Sequence, residues 1–252
     1  MYKGFYQLTS GMLSQGRRLD VIANNMSNVS TAGYKADRYT DSTAFQEVMI
    51  SRIGNKDKRS DAQLGRESYI LAPDQLYTDY TQGSLEETEL PLDFAIDGEG
   101  FFAIERAGEI GYTRAGSFSL DDDGYLCLPG QGRVLDQNGD FIQLPTDNIY
   151  VDKTGAIYTQ QNRNLLATLG VFQFADNAAL ERNDRGLFTG GQPQAGENYV
   201  IYNGMVERSN ANMVQEMVSM MTAQRALQSA AEMSKIYDQV MTRDATEVGR
   251  LA

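Results

Sequence analysis

Histidine is absent from all 252 residues. The chain therefore has no Ser-His-Asp or Cys-His nucleophile system, no HExxH zinc site and no imidazole proton relay. Tryptophan is also missing, and cysteine occurs once, as Cys127. A lone thiol forms no intrachain disulfide and brings no second metal ligand, so packing alone has to hold the fold. Cys127 reads as a small apolar strand residue. No run of roughly 18 apolar residues is present to span a membrane. Near the N-terminus, Thr9, Ser10, Ser14, Gln15, Arg17, Arg18 and Asp20 interrupt any apolar stretch, and no cleavable export signal is expected. Positive charge is short as well: 22 Lys and Arg face 34 Asp and Glu, for a formal charge of -12 and a pI near 4.5. That sign repels phosphate backbones and anionic lipid, so nucleic acid is not an expected partner.

The 41% of hydrophobic residues suffices for a sizeable core, in one large domain or two small ones. Charge is unevenly placed. Residues 1–36 carry Lys3, Arg17, Arg18 and Lys35 against Asp20, residues 205–252 are close to neutral, and the acidic excess lies between them. Two ends with one task and a middle with another are expected.

At the first end, Phe5, Met12, Leu19 and Met26 recur every seven residues, with Leu8, Gln15, Ile22 and Val29 three residues after each. Seven of these eight positions are apolar, the pattern of a coiled-coil seam. The spacing predicts a helix from residue 2 to about 29, about 40 Å long at 1.5 Å per residue, ended by Ser30-Thr31-Ala32-Gly33. An amphipathic helix packed on its own domain has the same periodicity.

The other end repeats the design. Asn212 is a good N-cap with Gln215 three residues on; Met213, Met220, Leu227 and Met241 share one heptad position with Ser234, and Ala223, Ala230 and Tyr237 share the other. Residues 213 to about 243 contain no Gly or Pro and are rich in helix formers. Methionines, Met217 among them, crowd this helix, and flexible thioethers suit surfaces that fit more than one neighbour. Ordinary core packing uses them equally well.

Between residues 77 and 204 the apolar runs are short and separated by turns, which reads as a β domain. Three turns share one grammar, with Asp opening and Gly closing three residues later: Asp121 to Gly124, Asp136 to Gly139 and Asp152 to Gly155. This fits hairpins built on a type I turn and a bulge. Residues 37–76 are polar and mixed, with a charged patch at 55–61, and form an extended connecting segment too long for an ordinary loop. The expected organisation is α+β: an N-terminal helix (1–36), the connection (37–76), a hairpin-built central domain (77–204) and a C-terminal helix (205–252).

Candidate chemistry is sparse. Asp121-Asp122-Asp123-Gly124 lacks the alternation and the distal Glu of a calcium loop, and Phe141 stands where such a loop around Asp136, Asn138 and Asp140 needs glycine. Gly98-Glu99-Gly100 puts a carboxylate where a phosphate would have to sit and reads as a tight turn. Asp93 with Asp97, or Glu86, Glu87 and Glu89, are nominal glycosidase pairs, but an acidic β protein supplies such pairs by chance and no Trp is present for sugar stacking. No cofactor, metal or small-molecule substrate is expected.

The stretch Leu19-Asp20-Val21-Ile22-Ala23-Asn24-Asn25-Met26-Ser27-Asn28-Val29-Ser30-Thr31-Ala32-Gly33-Tyr34-Lys35 closely resembles the N-terminal signature of the bacterial flagellar rod and hook proteins. Further matches follow at 92–102 (Leu92-Asp93-Phe94 to Phe102), at 112–118 (Tyr112-Thr113-Arg114-Ala115-Gly116-Ser117-Phe118) and at 204–212 (Gly204-Met205-Val206-Glu207-Arg208-Ser209-Asn210-Ala211-Asn212). The resemblance implies a non-enzymatic rod subunit of the basal body, exported unfolded through the flagellar type III apparatus. Its partners would be copies of itself and other flagellar rod and hook proteins. In that family the terminal helices join as an inner coiled-coil-like domain, and neighbours build a helical tube that surrounds the export channel and transmits torque. Phe5, Leu8, Met12, Leu19, Ile22, Met26, Val29, Met213, Met217, Met220, Leu227, Tyr237 and Met241 would then form subunit interfaces, and Asn24, Asn25, Asn28, Gly33, Ser209 and Asn210 carry the family motif. The long connection after Lys35 favours the distal-rod type slightly over the proximal. From the residues alone, a secreted coiled-coil adhesin or binding module is the alternative.

Overall fold

The computed structural model describes residues 2–53, 60–147, 149–159 and 164–251. Residues 55–59 of the charged patch therefore lie outside the described residues. The chain divides into two compact units, one comprising Met1–Met26, Asp37–Tyr77 and Met213–Ala252, the other Ser27–Ala36 and Thr78–Asn212.

The first unit is built from two helices and a ribbon. Helix α1 spans Tyr2–Ser27 and helix α2 spans Met213–Leu251, so α1 stops two residues short of the expected Val29 and α2 continues past residue 243. Gly4, Gly11 and Gly16 lie inside α1, each costing about 1 kcal/mol relative to Ala. This helix depends on packing rather than on propensity. Beyond its last turn, the Thr31 N–H donates to Asn28 O at 3.1 Å, and Gly33 takes a left-handed φ of 67°. In α2 the only glycine, Gly249, lies near the end, and Glu216 in the first turn complements the helix dipole. The described part of residues 37–76, read from the sequence as a connection, folds into two long paired strands, β1 (Asp37–Ile53) and β2 (Ser60–Thr78). Six residues join them, too few for a parallel crossover, so the strands run antiparallel.

The second unit is a β structure of short strands. A nine-stranded sheet runs through β5 (Phe101–Arg106) and β6 (Glu109–Thr113) at its centre. A three-stranded sheet comprises Ile149–Val151, Ala156–Thr159 and Leu165–Thr168. Two small ribbons complete it: β4 (Phe94–Gly98) pairs antiparallel with Tyr199–Asn203, and β3 (Leu85–Glu87) with Met205–Glu207. The three Asp-to-Gly turns carry one pair of bonds, in which the Gly N–H donates to the Asp carbonyl and the Asp N–H to the residue after the Gly: 2.9 and 2.9 Å at Asp121, 3.2 and 2.8 Å at Asp136, 2.9 and 3.0 Å at Asp152. Asn183 to Gly186 is a fourth turn of the same form, with Asn in place of Asp. The interior is one large cluster around Phe94, Phe102, Leu126, Ile157 and Leu169 and a smaller aromatic one around Phe101, Tyr112 and Phe188. Cys127 sits half-buried in a strand, its sulfur 3.5 Å from Ser119 Oγ.

Candidate functional site

Two places concentrate the residues of interest: the helix faces of the first unit, and a polar knot in the second.

Along α2 the less exposed positions include Glu216, Met220, Ala223, Leu227, Ala230, Ser234, Tyr237 and Met241, spaced three and four apart as one stripe, with Ser219 and Ala231 beside them. On α1 the corresponding stripe passes through Gly4, Leu8, Gly11, Gln15, Ile22 and Asn25. Of the sequence candidates, Ile22 is buried; Leu8, Met12, Leu19, Met26, Val29, Met220, Leu227, Tyr237 and Met241 are half-buried; Phe5, Met213 and Met217 are exposed. Contacts at both ends of α1 link the helices. A methyl group on Gly4 would lie 3.3 Å from the Tyr237 hydroxyl, and Asn25 Nδ2 donates to Glu216 Oε1 at 3.2 Å. The step from Gly4 to Asn25 equals the step from Tyr237 back to Glu216, so the helices run antiparallel in constant register. Asn25 also answers both backbone groups of Asp37: its Oδ1 accepts from Asp37 N at 3.0 Å and its Nδ2 donates to Asp37 O at 2.8 Å. Lower along α1, buried Ser14 donates to Asp41 Oδ1 at 2.6 Å.

Further apolar residues of α2 flank this stripe and are exposed: Met213, Val214, Met217, Val218 and Met221 near its start, and Met233, Ile236 and Val240 further on, on the opposite flank. Except for Met213, heptad reading assigned none of these to the seam. A helix that is apolar beyond one stripe calls for more than one partner.

In the second unit, all four signature stretches converge on Glu207. Its Oε1 lies 2.6 Å from Lys35 Nζ and accepts from Gly83 N at 2.9 Å, while Oε2 lies 3.2 Å from Arg114 Nη1. Arg114 in turn donates to Ile96 O at 3.2 Å and Gly98 O at 2.7 Å, and Lys35 to Thr81 O at 2.8 Å. The Gly33 N–H donates to Glu207 O at 2.7 Å. The side chains of Lys35, Glu207 and Arg114 are 1%, 0% and 5% exposed. Burial pushes the Lys35 ammonium and the Arg114 guanidinium below their ordinary values, and the Glu207 carboxylate opposes that shift in both. Removing one member of such a cluster costs on the order of 3–5 kcal/mol, because it strands a buried charge. Next to the cluster, Asn210 accepts from Ala36 N at 2.7 Å and donates to Asp79 O at 2.7 Å; Arg182 donates to Lys35 O at 2.5 Å and stacks on the Tyr34 ring. Ser209 Oγ accepts from Ala211 N, Asn28 Oδ1 from Thr31 Oγ1, and Asn24 is exposed on α1. The sequence displayed Lys35, Arg114 and Glu207 inside its motifs without marking them as partners.

None of this assembles a reacting pair. Asp93 is buried and accepts from Thr88 Oγ1 at 2.7 Å, Asp97 is exposed and accepts from Gln82, and Glu86 pairs with Arg208 at the surface. Among the described residues, no group of His, Cys, Asp and Glu is placed to hold a metal ion.

The chain matches three family models: "Flagella basal body rod protein" over residues 5–35, "Flagellar hook protein FlgE/F/G D1 domain" over 95–162, and "Flagellar basal body rod FlgEFG protein C-terminal" over 202–246. It is 32% identical to the flagellar basal-body rod protein FlgF of Mesorhizobium japonicum, with 93% of each chain covered. The chain belongs to the flagellar basal-body rod protein family. Its similarity to the rod protein FlgG of Bacillus subtilis is 29% over 96% of this chain and 97% of the relative. It is also 28% identical to the hook-basal body complex protein FlhO of the same organism, over the whole of both chains. Both ends of the family's sequence map onto the two places just described. The N-terminal model covers most of α1 and Lys35, and the C-terminal model covers Glu207, Asn210 and most of α2.

Proposed function

We propose that the chain is a structural subunit of the flagellar basal-body rod, joined to copies of itself and to other flagellar rod and hook proteins through its terminal helices. The observation that carries this reading is the set of exposed apolar residues flanking the inner stripe of α2, present in a chain of rod-protein sequence. Residues on the inner stripe pair α1 with α2 as an antiparallel coiled coil, and the exposed apolar residues on its flanks are kept for neighbouring copies. Burying one such side chain gains about 1.5–3 kcal/mol, so several together outweigh the entropy of docking. A head-to-tail contact that does not close into a ring continues as an open helical array, the form of a tube around a central channel. Torque then passes along the packed helices. The chain reaches its site unfolded through the type III export apparatus, and the absence of any possible intrachain disulfide is compatible with that passage. The adhesin reading finds no support among the relatives.

Changing Met217 and Val218 together to Glu tests the assignment in a strain lacking the native copy. The purified variant keeps the circular dichroism and thermal midpoint of the parent, while isolated basal bodies stop short of the hook. Complete rods bearing hooks in that strain would refute it.

A further inference from the structure

The two apolar clusters of the β unit are built without Ser27–Ala36 and without the residues after 204, of which Ala36 and Val206 are buried outside them. Its large cluster draws on residues 92–201, and its small one on 101–188 with Tyr80 packed beside it. Most of what fastens Ser27–Ala36 is polar: Gly33 N to Glu207 O, Lys35 Nζ to Glu207 Oε1 and Thr81 O, Ala36 N to Asn210, Asp79 N to Ala36 O, and Arg182, which donates to Lys35 O and stacks on Tyr34. Arg114, by contrast, is already anchored on the core through Ile96 O and Gly98 O. Glu207 stands between the two, with one carboxylate oxygen on the anchored cation and the other on Lys35 and Gly83 N.

We infer that Glu207 is a latch that closes Ser27–Ala36 onto a β core able to form without it. A chain emerges N-terminus first, so Lys35 and Arg114 are both present long before their shared carboxylate. Until Glu207 arrives, two cations would have to be buried uncompensated, and Lys35, on the segment that is free to move, stays in water instead. Ser27–Ala36 thus becomes ordered only in a chain that has been made through residue 207. The latch belongs to the single chain and needs no polymer, so its failure and the failure of the rod reading are separate results.

Hydrogen exchange on the full-length monomer tests it. In Glu207→Gln, the amides of Gly33, Ala36 and Gly83 exchange tenfold faster or more, while those of Ile104, Leu126 and Ile157 stay within twofold of the parent. Lys35→Met, which keeps the apolar stem and removes the charge, opens Gly33 and Ala36 in the same way. Core amides that accelerate together with the segment in Glu207→Gln would show one cooperative unit and overturn the latch. So would a segment that stays protected in either variant.

Discussion

A side chain at Gly33 would put its Cβ 2.1 Å from the Ala115 nitrogen, at a φ of +67°. The backbone conformation alone costs a non-glycine residue about 1–2 kcal/mol, and the clash with main chain has no flexible atom to absorb it. Gly33→Ala should lower the unfolding free energy in urea by more than about 2 kcal/mol, whereas Gly139→Ala, at a positive φ with open space around it, loses only about 1 kcal/mol. At the opposite turn, partial burial works against the Asp121 carboxylate. Even so, the Tyr125 N–H, the Arg133 guanidinium and the Asp123 N–H hold it below the ordinary range. A carboxyl lowered in the folded state contributes stability that is present above its unfolded value and is lost as pH falls through the folded value. Asp121→Asn should therefore flatten the loss of urea stability between about pH 5 and pH 2; an unchanged acid limb would argue that the turn does not depend on this charge.

At the level of elements, Asn25 joins α1, α2 and the start of β1 by side-chain bonds to Asp37 and Glu216. Asn25→Ala strands both backbone groups of Asp37, at about 1–3 kcal/mol. Asn25→Asp should be worse, because it replaces the donor with a second carboxylate facing Glu216 and the Asp37 carbonyl. Exchange at the Asp37 amide, faster in both variants and fastest in Asn25→Asp, is the check. The stripe on α2 from Met220 to Met241 could be read in advance because period alone places it. The β1–β2 ribbon could not, since a two-stranded ribbon needs no continuous apolar face and its polar, mixed sequence looked like a connection. Heptad reading selects one seam per helix, so Val214, Val218, Ile236 and Val240 went unmarked. Buried charges are rare enough that Lys35, Arg114 and Glu207 pass for surface residues until folding brings positions 35, 114 and 207 together.

For the molecule as a whole, the two units differ in what completes them. The β unit encloses its apolar clusters, while the helical unit leaves Val214, Met217, Val218, Met233, Ile236 and Val240 in water. In dilute monomer the helical signal at 222 nm should melt at lower urea than the near-ultraviolet tyrosine signal, and assembly should raise the first transition by linkage. A single coincident transition in the monomer would show that the helices need no neighbour. The lengths add a last point. With Gly4 beside Tyr237, a helix of 39 residues outruns one of 26, and the final turns of α2 project like the tongue of a floorboard. Stacked copies that each carry such an overhang would have unlike tips, and a filament grown from them would know front from back at every stage of its extension.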